Sequence, residues 1–165
     1  MKHVKKSVLL WYSAREMYEL VVDVEDYPKF LPWCESATVL ERRPADPATG
    51  APAGMTARLG LSYAGVRQSF TTRNEEVQGE SVKLKLVDGP FSQLDGTWQF
   101  TALKEPDPAQ PINPDEPVAC RVEFELSYAF SNRVFEAVLS PVFDQVANTF
   151  VDSFVKRAAQ VYGER

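Results

Sequence analysis

Residues 135–154 read FEAVLSPVFDQVANTFVDSF, and this stretch decides the fold. Phe135, Leu139, Phe143, Val146, Phe150 and Phe154 recur at intervals of three and four, so a helix gathers them on one broad apolar face. Glu136, Ser140, Asp144, Asn148, Asp152 and Lys156 form a polar stripe on the opposite side. A helix with that much apolar surface needs another element to lie against. Pro141 leaves two readings open. Ser140 and Pro141 restart a helix as N-cap and first residue, or one kinked helix runs through them. Either version ends near Tyr162-Gly163.

The residues just before supply the sheet. Across 117–130, Val118, Cys120, Val122, Phe124, Leu126, Tyr128 and Phe130 alternate with Arg121, Glu123, Glu125 and Ser127, the pattern of an antiparallel strand with one buried face. Working backwards, strand-like runs occupy about 94–104, 81–87, 66–77, 55–64 and 35–43. Tyr63-Ala64-Gly65-Val66 reads as a hairpin with a two-residue loop. That register puts Leu59, Leu61 and Tyr63 on one face with Val66, Gln68 and Phe70. Gln68 then points inward and needs a partner: Tyr63, Tyr128, a water or a ligand. Residues 3–12 make a first strand, and Ser13 with Glu16 has capping-box spacing for a helix to about Asp23 that turns Met17, Leu20 and Val21 inward. The aromatic–proline knot Tyr27-Pro28-Lys29-Phe30-Leu31-Pro32-Trp33-Cys34 follows, where the prolines permit only short helical turns.

The 165 residues suit one domain spanning 1–165, large enough to bury roughly 70% of its unfolded surface. A net charge of −5 argues against bulk electrostatic binding to nucleic acid, so no DNA partner is expected. Lys2, Lys5 and Lys6 read as an exposed strand edge, and Lys156 and Arg157 as complements to a helix C-terminus. Cys34 and Cys120 have no metal-ligand spacing and read as buried free thiols of a reducing compartment. No run reaches the ~20 apolar residues of a membrane span, and no leader pattern is visible, so a cytoplasmic location is expected. Arg43–Gly54 and Lys104–Pro117, rich in proline and acidic residues, read as surface loops.

Catalytic chemistry is poorly supplied. The sole histidine, His3, has no evident partner, and no nucleophile triad, phosphate-cradling glycine loop or metal motif appears. Asp23, Glu25 and Asp26 precede a short helical turn and read as capping residues; Glu75-Glu76 reads as a solvated hairpin end. The expectation is a protein that is not an enzyme and has no cofactor. It offers apolar lining instead: Leu59, Leu61, Phe70, Leu84, Leu86, Trp98, Phe100, Phe124, Leu126 and Tyr128 from strands, and Phe143, Val146, Phe150 and Phe154 from the helix. Such stripes make a solid core, or a pocket where a sheet curves around a helix.

Four segments carry a resemblance: VVDVEDYPKFLPWC (21–34), DGPFSQLDGTWQF (88–100), FELSYAF (124–130) and PVFDQVANTFVDSFVKRA (141–158). The chain resembles the coenzyme Q-binding, ribosome-association toxin family of the START-like, polyketide cyclase-related superfamily. The resemblance implies an α+β helix-grip fold, with a seven-stranded antiparallel sheet curved around a long C-terminal helix and two small helices after strand 1. It implies an apolar tunnel for ubiquinone or another polyprenyl lipid, held as a ligand. Tyr27, Pro28, Phe30, Leu31, Pro32 and Trp33 are then entrance or lid candidates, and Trp98, Phe100 and the helix phenylalanines interior ones. The main function so implied is non-enzymatic carriage of an isoprenoid quinone in support of respiratory electron transfer, with transient contact at a membrane surface such as the inner membrane. The alternative is a toxin-type factor that binds a ribosomal subunit and blocks subunit association. The net charge counts against that reading unless the N-terminal lysines and the helix end make a local basic patch. A polyketide cyclase or aromatase comes last, for want of an internal acid–base set.

Overall fold

The computed structural model describes residues 1–104 and 119–164. Their elements run β1 (Lys2–Leu10), α1 (Ala14–Val22), a 3₁₀ turn (Val24–Lys29), β2 (Cys34–Arg43), β3 (Ala53–Tyr63), β4 (Val66–Val77), β5 (Ser81–Asp88), β6 (Phe91–Lys104), β7 (Ala119–Phe130) and α2 (Arg133–Tyr162). The strands form one antiparallel sheet in the order β1-β7-β6-β5-β4-β3-β2. Every neighbour from β2 to β6 is a chain neighbour, and β1 joins the far edge beside β7. The helix-grip fold implied by the resemblance is the one found.

Local chemistry accounts for the elements. Ser13 accepts from the Glu16 amide at 3.0 Å, while the Glu16 carboxylate accepts from the Ser13 amide at 2.9 Å, so the capping box forms as spaced. The β3–β4 hairpin turns through Ala64 and Gly65 at φ 50° and 81°, the left-handed geometry a two-residue turn demands. Its register pairs Leu59 with Phe70, Leu61 with Gln68 and Tyr63 with Val66, as the alternation predicts.

The proline question is resolved in favour of one helix. α2 starts at the Asn132 N-cap, whose side chain accepts from the Phe135 amide at 2.8 Å, and continues through Pro141. Pro141 and Ala137 are both exposed, so the carbonyl that proline leaves without an amide partner lies on the side that water reaches. Ser140 is therefore not an N-cap; its hydroxyl meets the Lys2 ammonium.

Four other expectations need correction. β1 stops at Leu10, leaving Trp11 exposed and Tyr12 buried with its hydroxyl on the Gly163 carbonyl at 2.8 Å. Asp23 sits at the N-cap position of the 3₁₀ turn but makes no side-chain cap bond; it shares a hydrogen bond with Asp26 instead. Lys156 and Arg157 lie before the last turn of α2, and the Arg157 guanidinium stands 5.2 Å from the Phe30 ring centre. Arg43 belongs to β2 rather than to a loop, its guanidinium donating to the Thr56 hydroxyl and the Asn74 carbonyl, each at 3.1 Å. The loop reading for 104–117 falls almost wholly outside the described residues.

Candidate functional site

The inward residues of the sheet and the apolar face of α2 close on a cavity of about 60 Å³. Its walls come from all parts of the fold. β3 gives Ala57 and Leu59, β4 gives Phe70, Thr72 and Asn74, and β5 gives Leu84. Leu94 and Trp98 of β6 and Phe124 and Leu126 of β7 follow, with Phe143, Val146, Ala147 and Phe150 of α2 as the roof. Val24, Tyr27 and Trp33 close one side. A water's share of such volume is about 10–15 Å³, so the space admits a handful of waters or one small apolar group.

Of the residues singled out from sequence, Tyr27, Trp33, Leu59, Phe70, Leu84, Trp98, Phe124, Leu126, Phe143, Val146 and Phe150 line this space. The others lie elsewhere. Leu61 faces a second, smaller void of about 10 Å³ together with Gln68, Phe91, Phe130 and Leu139. Phe100 lies parallel to Trp98, 6.1 Å away, and meets Tyr18 edge-on. Phe154 packs behind the cavity against Trp98, Tyr27 and Phe30. Tyr128 braces Phe143 at 4.7 Å. Leu31 is 1% exposed and Phe30 is half-buried. Within the knot, Tyr27, Leu31 and Trp33 are thus wall and core, while Pro28, Lys29 and Pro32 meet solvent.

Val24, Ala57, Thr72, Asn74, Leu94 and Ala147 also line the cavity and were not foreseen. Thr72 and Asn74 share the parity of Phe70 in a β-strand, so the alternation does point to them; their polarity hid them. Both are buried, and the Thr72 hydroxyl donates to Asn74 Oδ1 at 2.8 Å. Trp33 Nε1 is buried with no hydrogen-bond partner among the described residues. The rest of the lining is apolar, except for the Tyr27 hydroxyl, which donates to the Val21 carbonyl. Burial holds that phenol well above its usual range.

Polar chemistry gathers at the edge. Asp144 of α2 accepts from the Lys2 ammonium and the Tyr128 hydroxyl, tying β1, β7 and α2 together. Burial pushes its carboxyl up, but these donors outweigh it and the net shift is downward. Glu76 departs from the sequence reading: it is half-buried on β4, one carboxylate oxygen has no partner among the described residues, and burial pushes its carboxyl up despite Arg42 and Arg43. Cys34 and Cys120 are buried free thiols, each pushed by burial up to about 11, hence weak nucleophiles at neutral pH. His3 is exposed beside the Ser127 hydroxyl. Among the described residues, no cluster of three or more metal-ligating side chains occurs, and no helix is long and apolar enough to cross a membrane.

A seven-stranded antiparallel sheet gripping a long C-terminal helix over an apolar cavity is a START-like, helix-grip fold, and a solved START superfamily structure from Mycobacterium smegmatis shares it. The two superpose with a TM-score of 0.69 at 19% identity, over 96% of this chain and 98% of that one. The chain belongs to the polyketide cyclase / dehydrase and lipid transport family, whose model matches residues 10–155. It is 40% identical over 161 residues to the ribosome association toxin RatA of Pseudomonas aeruginosa, covering 98% of each. To the mitochondrial coenzyme Q-binding protein COQ10 homolog B of Xenopus laevis it is 27% identical over 97% of this chain, though that protein is longer and 59% covered.

Proposed function

We propose that this protein binds a ribosomal subunit and blocks subunit association, without catalysing a reaction. The observation that carries this reading is the end-to-end similarity to a ribosome association toxin, 40% identical with 98% of both chains covered. Cavity size favours it over lipid carriage as the main activity. Ligand pockets commonly measure ~300–1,000 Å³, several times the roughly 60 Å³ enclosed here. A polyprenyl tail would need α2 or the knot to move away from the sheet. The test is sedimentation of dissociated ribosomal subunits returned to associating conditions with and without the protein. Retained free subunits, in proportion to protein added, are expected; full reassociation at excess protein sinks the reading.

Quinone binding stands as a second reading because one observation favours it: the cavity is apolar, yet carries Asn74 and an unpartnered Trp33 N–H, donors suited to a carbonyl headgroup. Organic extraction of detergent-free protein and mass spectrometry for isoprenoid quinones decides it. Protein that is empty and takes up no added quinone ends that proposal.

A further inference from the structure

Two of the three N-terminal lysines are held in ion pairs. Lys2 is held by Asp144, and Lys5 has the Glu125 carboxylate at 3.3 Å. Arg42, Arg43 and Arg67, on the strands at the other edge, likewise face Glu25, Glu41 and Glu35. Four further cations of the sheet stand close together. Arg58 of β3, Arg73 of β4, and Lys83 and Lys85 of β5 are all exposed on the face turned away from α2, and none has an ion-pair partner among the described residues.

Register places them side by side. Arg73 stands directly opposite Lys85, and Arg58 opposite Thr71, one outward position from Arg73. In an antiparallel pair, directly opposed side chains lie about 5 Å apart, and like charges there are destabilising. Arg73 has Thr56 on its other side and no carboxylate directly opposite it, while Lys85 has Asp95. The carboxylates nearest in register are Glu75, opposite Lys83, Asp95, opposite Lys85, and Asp88, across Thr71 from Arg58, so four cations share three acids. The next strands outward reverse the sign, with Glu123 and Glu125 on the same face of β7. A chain of net charge −5 thus sets four exposed cations on three adjacent strands.

We propose that this outer face of β3–β5 docks on the phosphate backbone of structured RNA; the inference rests on, and deepens, the ribosome reading. Two opposed cations that repel each other become favourable when a phosphate sits between them. The neighbouring outward residues Ser69 and Thr97 carry hydroxyls that suit phosphate oxygens. No aromatic ring stands on this part of the face to stack on bases, so the contact reads backbone and shape rather than sequence. Val77 and Val87, exposed at its two ends, are the apolar residues there.

The test compares wild type, Arg73→Gln/Lys85→Gln and a Lys5→Gln control. Each is titrated with purified large and small ribosomal subunits, with a duplex RNA oligonucleotide and with anionic phosphatidylserine vesicles, over a series of salt concentrations. Expected is salt-sensitive binding of wild type to the duplex and to one subunit. The double variant should bind both roughly tenfold more weakly or worse, with a log K against log salt slope shallower by about two. Lys5→Gln should match wild type. The thermal midpoint of the double variant should equal or exceed that of wild type, which separates lost contact from lost fold. Equal binding and an unchanged slope in the double variant overturn the proposal while leaving the ribosome reading to another surface. Weaker subunit binding with duplex binding and slope unchanged overturns it in favour of a protein neighbour. Binding to vesicles but not to RNA overturns it in favour of a membrane. Duplex binding through the band without subunit binding supports the surface and sinks the ribosome reading; wild type that binds nothing sinks both.

Discussion

The two faces of the sheet are built on opposite rules. The inner face is aromatic and closed: Trp98 alone has Phe100, Phe124, Phe150 and Phe154 rings within 6.1 Å. The outer face has no such packing partner among the described residues, and its side chains are set by strand register and by charge. On the inner face a residue's worth is contact area and shape, and on the outer face it is the sign of its neighbour. The difference shows how one sheet can hold an apolar cavity on one side and a charged surface on the other.

The largest expected effect breaks the inner face. Trp98→Ala removes a side chain 1% exposed, and equilibrium unfolding in urea should show a loss of about 3–5 kcal/mol. A loss under about 1 kcal/mol would mean the inner face is loose enough to open for a large ligand.

The next concerns the clamp between the helix and the sheet edge. Asp144→Asn should destabilise by about 1 kcal/mol, a modest figure because the carboxylate is partly solvated. The sign with pH follows from its depressed carboxyl. The stabilisation is complete above the ordinary aspartate range and disappears as pH falls through the lowered value, so the variant should lose less stability than wild type on acidification. Melting curves between neutral and strongly acidic pH measure it.

Glu76 is the intruder on the inner side, and its carboxyl is shifted the other way. Between the ordinary glutamate value and the raised one, the folded state holds the proton more tightly, so stability declines as pH rises through that window. Glu76→Gln should therefore raise the melting midpoint at neutral pH, by under about 1 kcal/mol in stability, with the gain gone below the glutamate range. A variant less stable than wild type at neutral pH would show that Arg42 and Arg43 need the charge.

The smallest effect lies at the hairpin tip. Ala64 holds φ 50° beside Gly65; Ala64→Asn should add a few tenths of a kcal/mol, because asparagine accepts the left-handed region more readily. An unchanged midpoint would show that the turn is dictated by the strands.

How much of this was legible beforehand varies with the kind of interaction. Tyr63-Ala64-Gly65-Val66 announced its turn, Ser13 and Glu16 their cap, and the alternation of Val122, Phe124, Leu126 and Tyr128 its buried face. Each rests on neighbours along the chain. Which inward residues touch the void was less legible. Phe100, Phe154 and Tyr128 carry the same inward parity as Trp98 and Phe124, yet pack into solid core, because the crossing of α2 over the sheet decides where space remains. Thr72 and Asn74 line the space despite their polarity, satisfying each other. In the knot, whose residues the resemblance makes entrance or lid candidates, the Tyr27 hydroxyl is anchored on Val21 and its ring lies against Phe154 at 5.4 Å.

By itself the sequence determined the strands, the hairpin, the Ser13–Glu16 cap and the apolar stripe of α2, since those follow from backbone preference and periodicity over a few residues. Only the tertiary structure decided the size of the cavity, the passage of α2 through Pro141, the burial of Glu76 and the meeting of Arg58, Arg73, Lys83 and Lys85. Those depend on which strands become neighbours and in what register, and so on long-range pairing that brings charges from three separate strands onto one outer face.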